Sequence, residues 1–223
     1  MAVASKAMAD LIAPTAAAYS EAHTSPFGGA LAEAVTWTSG NTSSPGMMAG
    51  LPEARLLELL IVASDARHVL EIGTFTGIGA LAMAAALPEG GRVTTLEIDQ
   101  DNAAIAQRHF DASPHGDRIE LIVGAALDTL ATVPGPFDLV WIDAWKNDYP
   151  AYYDAVIDKL SPRGVIAADN LFRAGRTLDA DATDPGTIAM REFADRVQAD
   201  PRVHNVLLSI GDGVMLAWRA PAA

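Results

Sequence analysis

Residues 68–99, HVLEIGTFTGIGALAMAAALPEGGRVTTLEID, decide how the rest of the chain is read. HVLEI is a short apolar run suited to a buried parallel strand. Gly73, Gly77 and Gly79 then break the chain, ALAMAAAL supplies strong helix formers, and Pro88, Gly90 and Gly91 stop that helix. RVTTLEI, rich in β-branched residues, reads as a second strand. Such a β-α-β unit sets the free N–H groups of a helix N-terminus beside the end of the first strand, where Glu71 and Gly73 stand. Glu97, ending the second strand, is placed to accept ribose hydroxyls of a nucleoside. The spacing G-x-x-x-G-x-G is neither the dinucleotide spacing G-x-G-x-x-G nor a phosphate-binding P-loop, since no Gly-Lys-Ser/Thr follows. NAD and ATP are therefore disfavoured. Helix–strand packing without any ligand is the other reason for such glycines.

Working outward, strand and helix patterns keep alternating. Strands are expected over 118–124, 136–143 and 164–170, with helices over 99–113, 125–133, 149–160 and 187–199 between and after them. A polar loop fills 171–186. VHNVLLSI and GVMLAWR close the chain around Gly211-Asp212-Gly213, which reads as a hairpin turn and makes the last strand antiparallel. The fold class that follows is α/β: a doubly wound, mostly parallel seven-stranded sheet with helices on both faces. Residues 1–66 read as helical, with alanine-rich segments around 3–20 and 28–37, a Gly/Ser/Pro loop at 38–47, and an amphipathic helix, LPEARLLELLIVAS, at 51–64. One domain over 1–223 is expected. In it 1–66 forms a helical cover, as packing alone or also as a lid, over a core at 67–223.

Composition removes several function classes. Fifteen Lys and Arg against 28 Asp and Glu leave a net charge of −13, a poor match to nucleic acid or an anionic membrane. The absence of cysteine excludes disulfides, thiolate zinc sites and a thiol nucleophile. The N-terminal residues lack a continuous apolar run, being interrupted by Lys6 and Asp10, so a cytoplasmic protein is expected. No G-x-S-x-G supports a serine hydrolase, and the five histidines show no metal-ligand spacing.

Ligands of such a sheet bind outside the carboxyl ends of its strands. The polar residues there are Glu71, Glu97, Asp143, Asp169 and Asn170, with Gly73 and Gly124 beside them. Asp143 and Asp169 should end neighbouring strands. Two ionised carboxylates at close range repel unless a cation lies between them, and an all-oxygen set with the Asn170 amide suits Mg²⁺, Ca²⁺ or Mn²⁺. The other reading makes Asp143 a helix cap and Asp169-Asn170 a turn. Lys146, three residues after Asp143, is a base beside a bound cation or a surface lysine paired with Asp143 or Asp148. Trp145 walls an aromatic substrate or anchors its loop.

These residues resemble a known family. VLEIGTFTGIGALAMAAALPEGGRVTTLEID is similar to the cofactor motif of class I S-adenosylmethionine-dependent methyltransferases, which have a Rossmann-like sheet. FDLVWIDAWKNDYPAYYDAVIDKLSPRGVIAADN resembles the metal-dependent O-methyltransferases of the caffeoyl-CoA and catechol type, and the likeness spans roughly 47 to 218. The resemblance implies that Asp143, Asp169 and Asn170 hold a divalent metal, Mg²⁺ above all, and that Lys146 is catalytic together with Asp143. It places Glu97 at the ribose of the cofactor, and Ala126 and Leu127 at its adenine. Glu71, Gly73 and Phe75 would surround the methionine moiety, flanked by Met47 and Ala49, with Asp143 next to the sulfonium; Gly77, Gly79 and Ile98 would also bind the cofactor. Trp145, Lys146 and Asn170 would meet the substrate. The implied reaction is methyl transfer to a hydroxyl of a catechol-like small molecule, by a homodimer. Two alternatives stand beside it: a catalytically silent S-adenosylmethionine-binding protein, and a metal-independent methyltransferase on another acceptor. The chain departs from the family at Gly79, usually serine, at Ile78, usually tyrosine, and at Met215, where catechol enzymes carry a glutamate.

Overall fold

Apolar residues with a period of two, separated by alanine-rich helical stretches, build the sheet and its two covers. The computed structural model describes residues 13–220; the part of the expected first helix that falls on 1–12 lies outside them. The strands are β1 (His68–Ile72), β2 (Arg92–Glu97), β3 (Ile119–Val123), β4 (Phe137–Ile142), β5 (Leu160–Ala168), β6 (Val203–Leu208) and β7 (Val214–Arg219). The helices are α1 (Pro14–Ala22), α2 (Gly29–Asn41), α3 (Leu51–Ser64), α4 (Ile78–Ala86), α5 (Gln100–Asp111), α6 (Ala126–Thr132), α7 (Tyr149–Ile157) and α8 (Pro185–Ala199).

The seven strands are ordered β3-β2-β1-β4-β5-β7-β6. β3, β2, β1, β4 and β5 pair in parallel, and β7 runs antiparallel to both β5 and β6. This is the expected mostly parallel sheet with an antiparallel last strand. Side chains alternate between its faces. Leu70, Ile72, Val140, Ile142, Ile166 and Ala168 face the core shared with α7 and α8. Val69, Leu139, Trp141, Ala167, Val214 and Leu216 face the opposite core, closed by α3 and α4. Buried Ala54, Leu57 and Ile61 recur at helical spacing on α3, so this part of the cover is held by its apolar face.

Two boundaries differ from the sequence reading. Helix α2 continues through Gly40 to Asn41, into the stretch expected as loop. Its polar side chains bond back to its own carbonyls, Ser39 to Val35 and Asn41 to Trp37. Its buried Thr38 donates to the Thr76 hydroxyl at 2.9 Å, tying the cover to the glycine turn. Strand β5 begins at Leu160, not at 164, because Ser-Pro-Arg-Gly forms a bulge between the Phe137–Leu160 and Leu139–Val165 pairs.

Chain order reverses between β1 and β4: the chain builds outward from β1 to β3, then returns to lay β4 on the other side of β1. A crevice opens at the carboxyl ends of the strands at such a point.

Candidate active site

The first wall of the crevice follows from two backbones that nearly touch. Asp143 N–H donates to the Ile72 carbonyl at 2.9 Å, and Gly73 N–H to the Leu96 carbonyl at 3.0 Å, so the chain ends of β1, β2 and β4 are laced together. Gly73 has φ +101°, and a Cβ there would lie 2.2 Å from the Asp143 carbonyl oxygen, so this turn requires glycine. Above it opens a cavity of about 640 Å³.

Glu97 forms one side. It is 7% exposed, and its carboxylate accepts the Phe75 N–H at 2.7 Å and the Asp99 N–H at 2.9 Å. Those bonds fix the orientation of the carboxylate, and each oxygen keeps a lone pair for a further donor. Beside it, exposed Ile98 and Leu127 with Ala126 make an apolar shelf. Met47 and Ala49, from the segment between α2 and α3, line the cavity as well.

The floor is Glu71, Gly79 and Trp141. The Glu71 carboxyl sits where a side chain at 79 would go: a Cβ on Gly79 would lie 2.3 Å from Oε1. The other oxygen, Oε2, accepts the Thr95 hydroxyl at 2.5 Å, and Thr95 is bonded in turn to Thr74. Burial pushes the Glu71 carboxyl up to about 8; the Thr95 hydrogen bond opposes that shift, and the charges of Asp143 and Glu97 add to it.

The chemistry-bearing end lies at β4 and β5. Ile142 pairs with Ala168 in register, so Asp143 and Asp169, each the next residue, emerge side by side. Lys146, on the short turn Lys146–Asp148, donates to Asp143 Oδ1 at 2.8 Å and to the Tyr149 hydroxyl at 2.9 Å. Tyr149, fully buried, donates its own proton to the Ile142 carbonyl at 3.1 Å. Loss of water pushes the Asp143 carboxyl up against the opposing pull of Lys146. Asp169 is pushed up to about 8, by burial first and by the Asp143 charge second. Asn170 follows with φ +61°, and both it and Trp145 line the cavity, Trp145 at 67% exposure.

All the sequence-derived site residues but one therefore border a single cavity. The exception is Gly77. It caps α4 at φ +88°, and a Cβ there would strike the Phe110 ring at 2.5 Å, so helix packing by itself requires glycine there. Met215, one of the three departures from the family pattern, is 4% exposed in the core shared with α7 and α8 and does not line the cavity. Sequence reasoning missed Tyr149, whose only signal was its spacing of three from Lys146, and the floor residue Trp141.

Residues 21–220 match a family described as O-methyltransferase. The chain belongs to the O-methyltransferase family. It is an S-adenosylmethionine-dependent O-methyltransferase by that membership. It is 33% identical over 193 residues to a catechol O-methyltransferase of Niastella koreensis, covering 82% of this chain and 87% of that one. An O-methyltransferase from Bacillus cereus in complex with SAH superimposes with a TM-score of 0.84 at 31% identity, covering 92% of this chain and 97% of the other. TomG of Streptomyces achromogenes, an O-methyltransferase of tomaymycin synthesis in complex with SAM, gives 0.84 at 29% identity, covering 92% and 96%. No helix among the described residues of this O-methyltransferase is long and apolar enough to cross a membrane.

Proposed function

We propose that this O-methyltransferase methylates one hydroxyl of a catechol-like, vicinal dihydroxy aromatic small molecule with the help of a hard divalent cation. The observation that carries the reading is the Lys146–Asp143 pair, with Asp169 and Asn170 beside it at the strand ends that form one side of the cavity.

The residues fit such a cation by their chemistry. Among the described residues no three His, Cys, Asp or Glu side chains converge as a metal site, so a set here has only two carboxylates and must take its third donor from an amide. Asp143 and Asp169 supply the carboxylates, and the charge of one raises the other. Asn170 supplies the amide oxygen. All three donors are hard oxygens, which favours Mg²⁺, Ca²⁺ or Mn²⁺, and three protein ligands leave positions for substrate oxygens. Held there, the cation would lower the pKa of a hydroxyl brought to it.

The chain's own residues account for the rest. Glu97 and the shelf of Ile98, Ala126 and Leu127 hold the nucleoside of S-adenosylmethionine, and Glu71 and Gly73 the methionine end. S-adenosylmethionine supplies the methyl group on a sulfonium that leaves as a neutral thioether. Lys146 takes the acceptor's proton. As a neutral amine it has two N–H bonds and one lone pair. Asp143 and the Tyr149 hydroxyl accept from Nζ, so the lone pair remains for the substrate proton. Tyr149 is held far above its usual pKa by burial, and stays a neutral phenol. Trp145 offers an exposed aromatic face to a flat acceptor.

A methylation assay over catechols and caffeoyl esters, with Mg²⁺ and with chelator, tests this. Turnover of vicinal diols that disappears in chelator is expected. Full activity in chelator would overturn the metal reading in favour of metal-independent transfer, and cofactor binding without turnover on any diol would overturn the acceptor. A homodimer completes the proposal, supported by the family resemblance, beside the single domain over 1–223 and the cytoplasmic location expected from the sequence. Light scattering on the purified protein tests the dimer.

A further inference from the structure

The hairpin turn between β6 and β7 lies outside the cavity, yet it grips the loop that carries Asn170. Leu171 N–H donates to the Gly213 carbonyl at 3.0 Å and Phe172 N–H to the Asp212 carbonyl at 2.8 Å. A Cβ on Gly213 would lie 2.6 Å from the Phe172 ring, so the two segments are pressed together. The Asp212 side chain adds two contacts of its own. Oδ1 accepts the Ala174 N–H at 2.6 Å, and Oδ2 accepts the Asn170 side-chain Nδ2–H at 3.4 Å. The loop needs such a hold: Asn170, Arg173, Ala174 and Gly175 all have positive φ.

An asparagine amide has two unlike ends. Only the oxygen has lone pairs to offer a hard cation, and the NH2 group has none. Nothing in the size of Asn170 decides which end faces the cavity; the partner behind it does. We propose that Asp212 is a positioning residue that holds the Asn170 amide by its NH2 end, so that the oxygen is the atom presented beside Asp143 and Asp169. This rests on the divalent-cation reading above. Asp212 itself does not line the cavity and touches no reacting group.

The polarity of the contact gives a specific test. In Asp212→Asn the new side chain can keep its oxygen on the Ala174 N–H only by turning an NH2 toward Asn170. The Asn170 amide must then flip and turn its own NH2 into the cavity. Mn²⁺ titrations followed by the spin-resonance signal of the free ion, with calorimetric S-adenosylhomocysteine binding as a control, read this directly. Wild type binds Mn²⁺, and D212N binds it about 10- to 100-fold more weakly. S-adenosylhomocysteine affinity is unchanged. The swapped pair D212N/N170D recovers Mn²⁺ binding, because the carboxylate it places at position 170 has two equivalent oxygens, one for the amide at position 212 and one for the metal. Unchanged Mn²⁺ affinity in D212N, or a folded swap variant that stays metal-free, overturns the positioning role while leaving the metal reading intact. If D212N alone fails to fold, the swap variant decides by the same criterion. A wild-type protein that binds no Mn²⁺ overturns the metal reading, and this role falls with it.

Discussion

Gly73 and Asp143 meet backbone to backbone: a side chain on residue 73 would lie 2.2 Å from the Asp143 carbonyl oxygen. The contact joins the glycine turn after β1 to the end of β4, so one glycine sets how close these two walls of the cavity stand.

Gly73→Ala should therefore disturb both walls. The new methyl group meets backbone that cannot rotate away, at a φ of +101° that alanine resists. Strain and overpacking together should cost on the order of 3 kcal/mol. In a chain of this length that is a fall in Tm of roughly 6–12 °C. Thermal melting, with S-adenosylhomocysteine binding by calorimetry, measures both losses; a Tm within a degree or two of wild type would contradict the contact.

Removing Lys146 should separate chemistry from binding. Lys146→Ala leaves Glu97 and its shelf untouched, so the Kd for S-adenosylmethionine should hold while kcat falls by about 10²–10⁴-fold. Tyr149→Phe removes one of the two acceptors on Nζ and leaves the Ile142 carbonyl with the Asp169 N–H alone. A smaller loss in kcat, about tenfold, is expected. Steady-state kinetics at saturating acceptor checks both, and an equal loss in cofactor affinity would argue for a structural role instead.

Asp169→Ala should abolish the response to Mg²⁺. It removes a carboxylate that has no ion-pair partner of its own among the described residues, only the Asn170 N–H at 2.6 Å. Chelated wild type and this variant should show the same residual rate, and only wild type should recover on adding Mg²⁺. Recovery of both would remove Asp169 from the ligand set.

Gly79→Ser should not simply restore the family's usual residue. Glu71 Oε1 occupies the place of the new Cβ, so the acid must move and strain its bond to Thr95. A loss of about 1–3 kcal/mol is expected from overpacking. In the Glu71→Ala background the serine should cost much less. Denaturation of the four proteins closes the cycle, and additivity would show that the two positions are independent.

Glu71 also gives the unliganded protein a pH dependence. Its carboxyl has an ordinary value of 4.5 and is raised to about 8 in the fold. Between those values the folded chain keeps a proton that the unfolded chain has lost. The stabilisation is fully present below about pH 4.5 and is lost as pH rises to about 8. Asp169 acts in the same sense. Stability measured by denaturant between pH 5 and 8 should fall more steeply in wild type than in Glu71→Gln. Parallel curves would show that Glu71 is ionised in the fold.

The sequence by itself determined the order of strands and helices, because strand and helix periods are local and the glycines and prolines punctuate them. It also determined the acids at the strand ends, since in a parallel sheet those ends fall on one edge. It misjudged the ends of α2 and β5, where back-bonding polar side chains and a bulge overrode the turn-forming composition. Gly73 and Gly77 look alike in the sequence, yet one touches Asp143 and the other Phe110. Glu71 and Gly79, eight positions apart, share one space. Tyr149 accepts from Lys146, and Asp212 takes hold of Asn170 from 42 residues away. Only the tertiary structure decided these relations: the Lys146–Tyr149 contact depends on how its turn folds, and the others on which backbones the packing of the sheet brings within a few ångströms of each other.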